Sequence, residues 1–149
     1  MKPKILFLCT GNSCRSQMAE AYAKYFFGDK LEIYSAGIEK HGLNPFMLKV
    51  LEEDRIDTSF LYSKTVEELE DKDFDYVVTL CGHANETCPM YLKKTNLIHK
   101  GFEDPAKAIG TEKEILDKFR EGRDKIKEYV KNEIGEKIVG SRECRVWSK

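Results

Sequence analysis

The sequence predicts an α/β fold: one domain with a four-stranded parallel sheet flanked by helices on both faces. Three observations predict it. Short, nearly unbroken apolar runs at 4–8 and 74–80 read as strands buried on both faces, as parallel sheets require. Amphipathic stretches at helical spacing lie between the strands. The two patterns alternate along the chain, the order expected of a doubly wound sheet.

The first strand is Lys4-Ile5-Leu6-Phe7-Leu8. A helix follows from Ser16, a candidate N-cap, to about Phe27, with Met18, Ala19, Tyr22, Ala23, Phe26 and Phe27 on its apolar side. Gly28-Asp29 ends it, and Leu31 to Ala36 reads as a second strand closed by Gly37. Asn44-Pro45 opens a helix that runs to about Glu53, with proline at the first helical position. Thr65 and Glu68 have the spacing of a capping box for a short helix. Residues 74–80 are the clearest strand, and Leu97-Ile98 a fourth, weaker one. Thr111 begins a long helix with Ile115, Phe119, Ile126, Tyr129 and Val130 on one side, expected to end near Ile134. The tail 135–149 is charged, carries the only tryptophan, and reads as an extension or a docked strand.

The chain has 149 residues, enough for one domain that buries roughly 68–70% of its unfolded surface. Its net charge of −1 gives no bulk attraction to nucleic acid or to an anionic membrane, so anion binding must be local. No stretch approaches the ~20 apolar residues of a membrane span. The start, Met1 to Cys9, does not read as a secretory leader, and a cytoplasmic monomer is expected. Five cysteines, an odd number, argue against a static disulfide framework and for catalytic or redox use.

The segment Cys9-Thr10-Gly11-Asn12-Ser13-Cys14-Arg15-Ser16 lies between a strand and a helix. A loop entering a helix N-terminus aims several backbone N–H groups at one spot, where the helix dipole adds partial positive charge. Thr10 to Arg15 are therefore the candidate oxyanion-binding residues, and the same field favours Cys9 as a thiolate nucleophile. Arg15 can grip two oxygens with its planar fork. The Ser16 hydroxyl can donate to the Cys9 sulfur. Asn12 can brace the loop, and Gly11 allows a backbone angle other residues resist. Cys14 is expected to pack beneath the loop. The site falls at the carboxyl end of the first strand, where open α/β sheets bind ligands.

The stretches 9–20 and Tyr34-Ser35-Ala36-Gly37-Ile38 resemble the low-molecular-weight protein tyrosine phosphatase family, and most closely its thioredoxin-recycled arsenate reductase branch. The resemblance runs to about Tyr129. It implies a phosphate-binding loop after the first strand, a phosphatase-like domain over 1–134 and a C-terminal extension over 135–149. It also carries the general-acid role to Asp104, in Gly101-Phe102-Glu103-Asp104-Pro105-Ala106, with Glu103 the weaker candidate.

Cys81 ends the strand 74–80 and Cys88 follows seven positions on. If 82–88 is helical, their Cα atoms lie ~10.5 Å apart, whereas a disulfide needs roughly 4.4–6.8 Å. Gly82 and Pro89 flank the segment and would let it rearrange. A zinc site from Cys81, His83 and Cys88 lacks a fourth ligand and the usual short spacing, so no metal is assigned. By resemblance, Cys9, Cys81 and Cys88 form a redox relay: Cys9 attacks arsenate, Cys81 resolves the adduct, Cys88 resolves Cys81, and thioredoxin reduces the final disulfide. Phosphate or sulfate would mimic arsenate in the loop.

Some relatives in this fold hold potassium beside the loop through residues matching Asn12, Glu20 and Ser35 and an aspartate. The position matching that aspartate is Lys64, which argues against potassium here. No other cofactor is expected. The alternative reading is a phosphatase for phosphotyrosine or a small phosphate ester, which needs only Cys9, Arg15 and Asp104. Tyrosine-specific relatives usually carry an aromatic residue after Asp-Pro, where this chain has Ala106. His41, His83 and His99 show no partner spacing, and Arg120 and Arg123 read as a solvated helix face.

Overall fold

The computed structural model describes residues 2–140. Four parallel strands, β1 (Lys4–Cys9), β2 (Glu32–Gly37), β3 (Tyr76–Thr79) and β4 (Asn96–His99), form one sheet in the order β2-β1-β3-β4. Ile5 to Cys9 are all buried, which explains the apolar run of β1; β2 and β4 are the edge strands, and the ends of β4 are exposed. β3 is shorter than the run 74–80. Asp75 instead brackets the start of β1, donating its N–H to the Lys4 carbonyl and accepting the Lys4 N–H on its carboxylate at 2.8 Å.

The helix α1 (Arg15–Phe27) joins β1 to β2, and α2 (Pro45–Glu53) lies between β2 and β3. Two short helices, α3 (Gly82–Thr87) and α4 (Met90–Lys93), link β3 to β4, and α5 (Glu112–Tyr129) follows. β2 and β3 flank β1, and right-handed crossovers place their connections on opposite faces of the sheet. The order of the strands therefore reverses at β1, and its carboxyl end opens into a crevice.

Met18, Ala19, Tyr22 and Ala23 of α1 are buried, as are Leu116, Phe119 and Ile126 of α5. Phe46 and Phe119, with ring centroids 5.7 Å apart, join α2 to α5. The Asn44 side chain caps α2 by accepting the Phe46 and Met47 N–H groups, and a Thr111–Glu114 capping box starts α5. Ser16 is not a cap: α1 begins at Arg15 with Cys14 before it, and Ser16 sits inside the first turn.

The last helix does not end near Ile134. Its α-helical part closes at Tyr129, and wider π-type turns carry it over Val130–Gly140. The wider turn brings Val130, Ile134, Ile138 and Val139 into the core. Gly135 lies against the Phe27 ring, where a Cβ would come within 2.9 Å of Cζ. Cys144 and Trp147 lie outside the described residues.

Arg120 and Arg123 are not simply solvated. Arg120 grips Glu53 through two nitrogens at 3.0 and 2.8 Å, and Arg123 donates to the Val50 carbonyl at 2.9 Å, so both tie α5 to α2. Among the described residues no helix is long and apolar enough to cross a membrane.

Candidate active site

The loop between β1 and α1 is turned inside out by its neighbours. The carbonyls of Cys9, Thr10, Gly11 and Ser13 accept N–H groups from Ile38, Glu39, His41 and Asn44, at 3.1, 2.8, 3.0 and 3.2 Å. In a trans peptide the C=O of one residue and the N–H of the next point in opposite directions. The amides of Thr10, Gly11, Asn12 and Cys14 are thereby turned inward. Among the described residues, the N–H groups of Gly11, Asn12, Ser13 and Cys14 donate to no protein acceptor. Gly11, Asn12 and Cys14 are buried, and buried N–H groups left unpaired are costly. A tetrahedral oxyanion would satisfy them together.

Cys9, 2% exposed, ends β1 beneath these amides. Its Sγ lies 2.9 Å from the Ser16 Oγ. That hydroxyl accepts the Asn12 amide at 2.7 Å, which leaves its proton for the Cys9 sulfur. The unusual backbone angle expected at Gly11 falls on Asn12 instead, at φ 49°, the left-handed region asparagine tolerates better than most residues. The Asn12 side chain also donates to Ser35 and accepts from the Lys64 N–H and the Gln17 amide. Cys14 is 2% exposed, and burial pushes its thiol up to about 12, so it has no thiolate to offer near neutral pH.

Arg15 and Asp104 meet at the mouth. The guanidinium donates to the Phe102 carbonyl at 3.1 Å and approaches the Asp104 carboxylate at 3.6 Å. The other Asp104 oxygen accepts the Ala106 N–H at 3.0 Å, which fixes the Asp-Pro turn. Together they close a pocket of about 250 Å³ over Cys9, small enough for an inorganic oxyanion.

Cys81 is brought to the edge of this pocket. Its Sγ lies 3.2 Å from Thr10 Oγ1 and also accepts the Ala84 N–H at 3.4 Å, capping α3. It lines a neighbouring cleft of about 600 Å³ that shares Thr10, Arg15 and Asp104 with the oxyanion pocket. Cys88 stands at the far end of α3, 5% exposed, and burial raises its thiol above the usual range. All four described cysteines carry free thiols. Seven residues at the helical rise keep the Cα atoms of Cys81 and Cys88 ~10.5 Å apart. His83 does not join them: among the described residues no group of three metal-ligating side chains gathers.

The sequence pattern of the low molecular weight phosphotyrosine protein phosphatase family matches residues 4–139. The chain belongs to this family. Within the family it is 49% identical over 130 residues to a protein named arsenate reductase from Halalkalibacterium halodurans, covering 87% of this chain and 94% of that one. A solved structure described as an arsenate reductase in the phosphate binding state superposes with a TM-score of 0.75 at 35% identity, covering 91% of this chain and 98% of the other. A thioredoxin-dependent arsenate reductase from Corynebacterium glutamicum superposes with a TM-score of 0.63 at 28% identity, covering 87% of this chain and 61% of that one.

Several residues of this family site do not show themselves in the sequence. His41 packs on Gly11, where a Cβ would come within 2.2 Å of its Nδ1, and it lines the oxyanion pocket with Lys107. The Phe102 carbonyl that holds Arg15 is a backbone atom with no sequence signal. Gly37 lies directly under the loop backbone. Only the run Ser35-Ala36-Gly37 at the end of β2 hints at such close approach.

Proposed function

We propose that the protein reduces arsenate to arsenite by a three-cysteine relay, with thioredoxin as the reductant. The observation that carries this reading is the second thiol on the lip of the oxyanion pocket, Cys81 Sγ within 3.2 Å of Thr10 Oγ1. A phosphatase has no use for it. The relatives named arsenate reductase support the substrate, and the thioredoxin-dependent neighbour supports the reductant.

Arsenate binds the inward amides of the loop and the Arg15 fork. The Cys9 thiolate, steadied by the Ser16 hydroxyl, attacks arsenic. Asp104 gives a proton to the departing hydroxyl, which leaves as water. Cys81 then attacks the Cys9 sulfur. The new S–S bond forms as the S–As bond breaks, and that electron pair stays on arsenic, taking it from As(V) to As(III) as arsenite. Cys88 attacks Cys81, forming Cys81–Cys88 and releasing the Cys9 thiolate. A thioredoxin dithiol takes over the last disulfide by the same exchange. α3 must unwind for the third step, because a disulfide spans roughly 4.4–6.8 Å between Cα atoms. A six-residue helix with few turns has little stability of its own to resist this.

The test is arsenate-dependent oxidation of reduced thioredoxin by wild type, Cys9→Ser and Cys88→Ser. Cys9→Ser should lose turnover by a factor on the order of 10³ or more. Cys88→Ser should stop after one arsenite per enzyme and accumulate Cys9–Cys81, while still hydrolysing an aryl phosphate slowly when no arsenate is present. Continued multiple turnover by Cys88→Ser would overturn the relay.

A further inference from the structure

Beneath the oxyanion loop lies a charge network that the relay does not use. Lys64 is 3% exposed and Glu20 is 3% exposed, both far from the usual surface position of such side chains. The Lys64 ammonium donates to the Tyr62 carbonyl at 3.0 Å, stands over the Tyr62 ring at 4.1 Å, and lies 3.7 Å from Glu20 Oε1. Glu20 Oε1 also takes the Ser35 hydroxyl, and its Oε2 takes Lys24 at 2.8 Å. Ser35 Oγ in turn accepts the Asn12 side-chain amide at 3.0 Å. The Lys64 backbone N–H reaches the other end of the same side chain, at 2.8 Å from Asn12 Oδ1. Asn12 is the loop residue in the left-handed region, and its amide also bonds to Ser16 beside Cys9. An unbroken chain thus runs from the ammonium through Glu20, Ser35, Asn12 and Ser16 to the nucleophile.

A potassium ion does not fit this donor set. At the position where some relatives place an aspartate, this chain puts an ammonium. Glu20 is already matched by two lysines, and Ser35 spends its proton on Glu20. A cation entering beside Glu20 would face the Lys64 charge in a buried place, where like charges repel strongly.

We propose that Lys64 is a built-in cation: its ammonium holds Glu20, and through Glu20 the Ser35–Asn12 brace, so that the oxyanion loop stays in its binding shape without an alkali metal ion. Lys64 is a positioning residue that touches neither the oxyanion nor Cys9. Removing a buried partner leaves Glu20 undercompensated. The brace then loosens, and the cost appears as weaker oxyanion binding. This inference rests on the loop alone and not on the relay.

The experiment measures the dissociation constant of inorganic phosphate and the thermal midpoint, in potassium chloride and in choline chloride at one fixed ionic strength. Wild type, Lys64→Met and Lys64→Asp are compared. Wild type should give the same values in both salts. Lys64→Met should bind phosphate about tenfold more weakly in both, the scale expected for loss of a supporting contact behind a site. Lys64→Asp should be weak in choline and should recover affinity and thermal midpoint in potassium, a salt-specific response that general destabilisation would not produce. Potassium-dependent binding by wild type would overturn the proposal, and so would wild-type affinity in Lys64→Met. The wild-type arm needs no variant to fold, and neither readout involves arsenate turnover, so failure here is distinct from failure of the relay.

Discussion

A methyl group on Gly37 would fall 2.3 Å from the Glu39 carbonyl oxygen and 2.8 Å from both Asn12 N and Thr10 O. These are backbone atoms, and two of them belong to the oxyanion loop, so none can swing aside. Gly11 is different: its methyl would meet the His41 ring, a half-exposed side chain that can shift at the cost of its exposed 2.7 Å contact with Glu39. Gly37→Ala should therefore cost about 1–3 kcal/mol in stability, the usual range for overpacking, and should weaken phosphate binding as the loop is pushed off its outward hydrogen bonds. Gly11→Ala should cost less on both measures. Urea unfolding and phosphate titration of the two variants check this, and equal effects would show that the loop yields as easily as the His41 ring. The contrast also explains what could be read in advance. Cys9, Arg15 and Ser16 sit in one contiguous run between a strand and a helix, so their meeting is local geometry. His41 and the Phe102 carbonyl reach the site from separate loops, and nothing in their own neighbourhoods marks them; Lys64, also from a separate loop, is marked only by the family resemblance.

At the scale of elements, α3 is where structure and chemistry conflict. Its N-terminus is capped by the Cys81 sulfur, its C-terminus is Cys88, and joining the two requires the helix to open. Gly82 in its first turn has open space where a Cβ would stand. Gly82→Ala therefore adds no clash and should stabilise α3 by about 0.5–1 kcal/mol. If unwinding precedes the Cys81–Cys88 bond, the step should slow by roughly two- to fivefold, at 1.36 kcal/mol per tenfold. Acid-quenched, alkylated time points after one arsenate turnover would read the rate, and an unchanged or faster rate would mean the disulfide forms without opening α3. The longer elements were legible because their periodicity is long: β1, α1, α2 and the start of α5 fall where the apolar spacing puts them. α4 has only four residues, too few for a period, and Val130–Gly140 departs from 3.6-residue spacing because its turns are wider.

Across the whole molecule, the helices α1, α2 and α5 meet at one half-buried carboxylate, that of Asp54. Tyr22 of α1 donates to Asp54, the residue closing α2, at 2.6 Å, and Lys127 of α5 reaches the same oxygen at 2.9 Å. Burial raises the Tyr22 hydroxyl above its ordinary 10.0, and the Asp54 charge raises it further. Burial alone would raise Asp54 too, but the Tyr22 and Lys127 hydrogen bonds outweigh it and hold the carboxyl below 3.8. The signs follow from linkage. The depressed Asp54 contributes stability that is complete above its unfolded value and is lost as pH falls through its lower folded value. The raised Tyr22 contributes stability that is complete below its unfolded value and is lost as pH rises through its higher folded value. This contact is thus whole between the two ordinary values, 3.8 and 10.0. Tyr22→Phe keeps the ring and removes the hydroxyl, so near neutral pH it should be less stable by about 1.5–3 kcal/mol, the range for a hydrogen bond to a charged group. The gap between wild type and Tyr22→Phe should shrink as the solution is made more alkaline than the upper value and again as it is made more acid than the lower one. Urea unfolding of both proteins across that range measures the gap directly. Taking the difference cancels the titration of groups the two proteins share, so a gap of constant size at every pH would mean that the Tyr22–Asp54 bond does not carry the coupling between these helices.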